Sequence, residues 1–205
     1  MKTKILRSIQ LSVLGVLFLS PFIFIFSDKT ESQEATATYE IDAVHSSVLF
    51  RAKHKGVAYN YGRFNDFSGK ITMNDTDVSK STVEFEVRTG SVDTGNEKRD
   101  QHLRSPDFFN AKQFPVIRFK STKISEKAGK ENVLEVTGDF NLHGVKKSIT
   151  IDVEMTGELD TPQGGKIIGF HTTFNIKRTE YGFNYGLEAV NDDIQITVSV
   201  EAGKK

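Results

Sequence analysis

The chain has 205 residues, with 27 basic and 27 acidic side chains and a formal net charge of zero at pH 7. Lys2, Lys4 and Arg7 are the only charges in its first 27 residues. The remainder is mildly acidic, which excludes a polyanion binder driven by clustered cations. Cysteine is absent, and with it go disulfides, thiolate catalysis, cysteine-ligated metal and lipid attachment through a thiol.

The basic residues at the N-terminus precede an apolar run from Leu11 to Phe26, the layout of a secretory signal. We therefore expect a signal peptide over 1–27, cut at Ser27, and a protein that is periplasmic or secreted. The run also approaches the roughly 20 apolar residues that a spanning helix needs, so an uncleaved anchor is the alternative. Residues 28–38 (DKTESQEATAT) are small, polar and aperiodic, and read as a flexible lead-in. One domain is expected over 39–202, long enough to bury a core without staples.

From there the period is two. Val48, Phe50 and Ala52 alternate with Leu49, Arg51 and Lys53. Segments around Tyr59–Phe64 and Gly69–Asn74 follow, then Val83, Phe85 and Val87 against Glu84, Glu86 and Arg88. A polar interruption, Glu97 to Leu103, suits a helix, and Ser105-Pro106 offers a cap followed by proline at a first helical position. One or two short helical turns are expected there. Alternation resumes at Ile117 and Phe119, continues through Leu134 to Leu142 and Ile149 to Met155, and ends with Ile168 to Ile176 and Ile194 to Val200. One apolar face and one wet face mark antiparallel sheet. Glu84, Glu86, Asp152, Glu154 and Lys177 should face solvent, while Phe85, Ile151, Val153 and Phe174 should face inward. The expected fold is all-β: about eight antiparallel strands could close as a two-sheet sandwich with a filled core or as a barrel, and segments such as Lys146–Glu158 and Lys166–Lys177, longer than the usual five or six residues, favour the barrel.

Chemical signatures are scarce. Nucleophile elbow, phosphate loop and zinc-protease motifs are all missing. His45, His54, His102, His143 and His171 sit in separate segments without metal-ligand spacing. Asp42 and His45, three apart before a strand, read as a turn that satisfies backbone groups. Asn74-Asp75-Thr76 matches a glycosylation sequon, a weak signal on its own. No catalytic residue and no metal ligand is assigned.

An ordered set of motifs resembles the YceI-like family of lipid- or polyisoprenoid-binding proteins. It begins at Asp42-Ala43-Val44-His45-Ser46 and runs through Gly62-Arg63-Phe64 and Phe67-Ser68-Gly69. It is densest from Ser91 to Asn96 and Arg99 to Leu103, and continues through Asp107-Phe108-Phe109, His143 to Lys147 and Arg178-Thr179-Glu180-Tyr181-Gly182. Tyr39 stands where that family usually carries tryptophan. The resemblance implies a lipocalin-like barrel enclosing an apolar tunnel, an exported protein without established catalysis, and no cofactor beyond a bound polyisoprenoid or quinone-like lipid. The implied partner is an amphiphilic isoprenoid or long-chain lipid. Nucleic acid is not expected, and a membrane enters as lipid source or through an uncleaved N-terminal anchor.

The inward rows then nominate Phe50, Phe85, Val87, Phe119, Phe140, Ile151, Val153, Phe170 and Phe174 as tunnel lining. Tyr59, Tyr61, Arg63, His102, Tyr181 and Tyr185 are candidates for the tunnel mouth, with ordinary rim packing the other role open to each. Two alternatives stand beside the carrier: an enzyme, metal-dependent or otherwise, using the loop histidines, and a filled-core scaffold or stress protein.

Overall fold

Period-two alternation becomes ten antiparallel strand segments and one α-helix in the computed structural model, which describes residues 36–204. In chain order they are β1 (Thr36–His54), β2 (Ala58–Phe64), β3 (Phe67–Asn74), β4 (Thr82–Arg88), β5 (Val92–Asp93), α1 (Glu97–Arg104), β6 (Val116–Glu126), β7 (Val133–Leu142), β8 (Val145–Asp160), β9 (Lys166–Lys177) and β10 (Val190–Lys204). The sheet runs β10-β9-β8-β7-β6-β4-β3-β1, and β1 pairs back onto β10, so an eight-stranded barrel closes with no free edge in the ring. The strand count exceeds eight because β2 and β3 follow one another along β1, pairing with its later and earlier halves.

The signal-peptide reading of 1–27 lies outside the described residues. The lead-in reading meets them only at its end. There β1 already starts at Thr36, with Thr36, Ala37 and Thr38 paired to Asn74, Met73 and Thr72. Ala37 is buried, so these small residues belong to the wall.

The Asp42 to Ser46 segment is a bulge, where the β1–β10 register shifts between Asp42 and Ser47. Asp42 Oδ1 accepts the Val44 N–H at 2.8 Å and its Oδ2 meets His45 Nδ1 at 2.9 Å. Ser46 Oγ accepts the Glu201 N–H at 3.0 Å. The expected turn is therefore a pinned kink that lets one long strand pair with β3 and then β2.

In α1, Asn96 caps the helix by accepting the Arg99 N–H. Buried Asp100 accepts the Thr94 N–H at 2.9 Å and the Thr94 hydroxyl at 2.5 Å, tying the helix to the loop before it. The second helical turn does not form. Ser105 ends α1 by donating its N–H to His102 O, and the chain then reverses so that Phe109 N–H reaches Leu103 O at 2.9 Å. Asn74 is buried, and its side-chain oxygen accepts from Thr76 and Asp77. It organises a turn instead of offering a glycosylation acceptor.

Three buried clusters hold the barrel. Tyr39, Ile71, Ile168, Phe170 and Ala202 form one near the chain ends. Val48, Phe64, Phe67, Val87 and Val92 form a second. Phe140, Leu142, Ile176, Tyr181 and Phe183 form a third. Glu84, Glu154 and Lys177 are exposed as parity requires, and Glu86 and Asp152 are half-buried beside Arg118 and Lys127. Phe85, Ile151, Val153 and Phe174 point inward yet are only half-buried. They line a cavity on one side while Phe85, Val153 and Phe174 pack against the core clusters on the other.

Candidate functional site

That cavity has a volume of about 240 Å³ and draws its lining from every strand of the ring. Phe50, Phe85, Val87, Phe119, Phe140, Ile151, Val153, Phe170 and Phe174 all line it. So do side chains that strand parity alone did not single out. Leu103, Phe108 and Phe109 enter from the α1 segment, Phe183 from the loop before β10 and Val190 from the first position of β10. The available signal for them was the Phe108-Phe109 pair, two large apolar residues in an otherwise polar, turn-rich stretch.

Twelve of the chain's sixteen phenylalanines lie among the described residues, enough to be expected to fill an eight-stranded barrel. Three glycines explain why the inner rows leave space. Gly62 is the register partner of Phe50, and Gly69 of Phe85. Gly138 lies beside Phe119, where a Cβ would stand 2.5 Å from the ring. In each case the phenyl ring lies across the neighbouring strand over a residue with no side chain. The rings become wall, and the axis stays open.

Polar lining is confined to Arg118, His171, Thr172 and Arg178. Arg118 Nε donates to Glu86 at 2.7 Å, and the Thr172 hydroxyl donates to Asp152 O at 2.7 Å. Arg178 is 4% exposed and donates to four carbonyls: Asn191 O at 3.1 Å, Phe183 O at 3.0 Å, Tyr185 O at 2.9 Å and Val190 O at 2.8 Å. Burial lowers its pKa, while Asp192 and Glu188 oppose that shift. A guanidinium suits this task because its fork reaches several acceptors at once. Arg178 thereby fixes the loop that covers the α1 end.

The mouth candidates separate. His102 and Tyr185 meet over the lining residue Phe108, their rings edge-on at 5.0–5.5 Å separations. Tyr59, Tyr61 and Arg63 project from the outer face of β2, opposite in parity to the inward Gly62 and Phe64. Arg51 stacks on the Tyr59 ring at 4.1 Å. Tyr181 does not stand at the mouth as expected: it is 2% exposed, edge-on to Phe140 at 5.6 Å, and burial raises its pKa. It belongs to the third core cluster because the short turn after β9 folds its side chain inward.

The histidines do not converge. His143 Nδ1 lies 3.1 Å from Tyr181 O, its ring between Phe114 and Phe183. His102 Nε2 meets Asp107 at 2.8 Å. Among the described residues, the single grouping with metal-ligand atoms within reach of one another is Asp42, His45 and Glu201 at the β1 bulge. His45 is solvent-exposed, and its Nδ1 is already engaged by Asp42. None of the three lines the cavity.

The YceI-like domain matches residues 39–202. A UPF0312 protein of Pseudomonas aeruginosa is 37% identical over 174 residues, covering 84% of this chain and 90% of the relative. The crystal structure of a Campylobacter jejuni YceI protein is 30% identical with a TM-score of 0.67, covering 75% of this chain and 90% of that one. A domain from Saccharophagus degradans, described as polyisoprenoid binding, has the same fold at 17% identity and a TM-score of 0.65, covering 82% of this chain and 99% of that one.

Proposed function

This chain belongs to the YceI-like family, and from that premise we propose that it is an exported binding protein that holds an amphiphilic polyisoprenoid, or another long-chain lipid, in its barrel cavity. The observation that carries the proposal is the apolar lining, contributed by the whole ring and kept open by glycine–phenylalanine pairs. Burying apolar surface yields about 0.8 kcal/mol per methylene-sized group, so each five-carbon isoprene unit adds about 4 kcal/mol before the costs of binding. A lining with so few polar groups, most of them engaged by the protein, selects by shape and length more than by chemistry. The polyisoprenoid-binding description of the Saccharophagus domain supports the same ligand class.

Catalysis forms no part of the proposal. No nucleophile and base pair faces the cavity, and its histidine, His171, stands beside Thr173 with a long 3.5 Å contact. A metal-dependent reading would have to use the Asp42, His45 and Glu201 group on the outside of the wall.

The test is organic extraction and mass spectrometry of protein recovered from a Gram-negative host, with N-terminal sequencing of the same sample. An isoprenoid lipid in stoichiometric amount, on a chain that starts after the apolar run, is the expected result. A chain retained in the cytoplasm from Met1 would refute export. Protein that carries no lipid and takes up no added long-chain quinone would refute the carrier.

A further inference from the structure

We propose that the α1 end of the barrel docks on an anionic lipid surface through the tip of the β1–β2 hairpin and the loop before β10. The inference rests on the lipid-carrier reading and adds where the carrier meets its source. Between Ser46 and Phe64 the sequence holds Arg51, Lys53, Lys55 and Arg63 and no acid. Arg63 faces Asp93 across β2 and β5, but among the described residues Arg51, Lys53 and Lys55 join no ion pair. Several other outward lysines are paired, Lys120 with Glu84 at 2.8 Å, Lys146 with Asp139 at 2.6 Å and Lys177 with Asp193 at 3.0 Å. Three cations without an ion pair within five residues of one hairpin, Arg51, Lys53 and Lys55, complement a surface of lipid phosphates.

The same tip carries the apolar half of an interfacial patch. Val57 is 84% exposed and Tyr61 63%, with Tyr59, Tyr185 and Leu187 also exposed. The Lys55 N–H donates to Ala189 O at 2.7 Å, which binds the hairpin to the 183–190 loop as one rim. Glu188 is the acid within that rim. Tyrosines with cations beside them are the side chains that settle at headgroup level. At the opposite end the exposed Leu159 sits between Glu158, which pairs with Lys166 at 3.2 Å, and Asp160, so its immediate neighbours are acidic where those of Val57 are not. Inner residues of the docking elements, Phe50 and Phe183, line the cavity. Docking therefore presents the bilayer to the His102, Phe108 and Tyr185 cap over the lining.

Because the chain contains no cysteine, Val57→Cys and Leu159→Cys each give the full chain a single attachment point for an environment-sensitive fluorophore. The probe is vesicles of phosphatidylcholine with phosphatidylglycerol and no isoprenoid, so docking is read whether or not the cavity takes a ligand. The expected result is a blue shift and quenching by brominated lipid at position 57 and neither at position 159. Phosphatidylcholine alone, added salt, or the combined Arg51→Glu, Lys53→Glu and Lys55→Glu variant, with its fold checked by circular dichroism, should abolish the signal. Silence at position 57, an equal response at 159, or a response that survives charge reversal would overturn the proposal. Vesicle association through the N-terminus alone leaves both labels silent and counts against it.

Discussion

Phe50 and Gly62 face each other across β1 and β2, and the phenyl ring lies over the glycine where any side chain would stand. Phe64 and Phe109 pack beside that ring at 5.7 and 6.5 Å. The ring's remaining direction of escape is inward.

Gly62→Ala should therefore push Phe50 into the cavity. We expect a stability loss of about 1–3 kcal/mol, as for other overpacked sites, together with weaker uptake of a long-chain quinone. Denaturant unfolding and a binding titration on the same protein check both. Unchanged binding would show that the ring relaxes along the wall.

Phe140 and Phe174 line the same cavity 6.3 Å apart but sit in different surroundings. Phe140 is 7% exposed and packs on Leu142 and Tyr181, while Phe174 is half-buried. Phe140→Ala should cost about 3–5 kcal/mol, the usual range for a packed core, and Phe174→Ala roughly 1–2 kcal/mol because its removal widens an existing space. Equal costs in chemical denaturation would mean that both are core.

Arg178→Lys keeps the charge and loses the fork. Four carbonyls between Phe183 and Asn191 depend on the guanidinium, and an ammonium cannot span them. Leaving several buried acceptors short should cost at least about 3 kcal/mol. Amide exchange in residues 183–191 should quicken more than in β6 or β7, and uniform change would argue that Arg178 does not serve this loop.

Strand positions were legible because alternation is enforced by the barrel itself: a row such as Phe170, Thr172, Phe174 and Ile176 can face only one way once its neighbours pair. The lining followed from the same parity. What the alternation left open were places where the backbone departs from the ladder. The bulge at Asp42 to Ser46 looks like a turn in sequence, and β2 and β3, which share β1 as partner, look like two ring strands. Tyr181 and Phe108 lie in turns, where no period tells inside from outside. The glycines opposite Phe50 and Phe85 read as turn or strand-weakening residues until cross-strand register is known.

The bulge contact also sets a pH dependence. Asp42 sits below the ordinary carboxylate range chiefly because His45 hydrogen-bonds to it, and His45 sits above the ordinary imidazole value for the same reason. A depressed carboxylate stabilises the fold above its unfolded pKa and loses that contribution as pH falls through the folded value. A raised imidazole stabilises below its unfolded value near 6.5 and loses that contribution as pH rises through its folded pKa. The contact is thus fully effective between the carboxylate range and about pH 6.5. Asp42→Asn should lower the His45 titration midpoint in an NMR pH series, and an unmoved midpoint would assign the shift to Glu201, 3.9 Å away.

The central claim is that the space inside the barrel is the ligand's place. Val153 lines that space and is half-buried, so Val153→Trp places an indole there without disturbing the outer face. Native mass spectrometry of wild-type and Val153→Trp protein, each offered the same long-chain polyprenyl lipid, tests the claim most directly. The account predicts a one-to-one adduct on the wild type and none on a variant that still unfolds cooperatively. An adduct of equal abundance on that folded variant would contradict it.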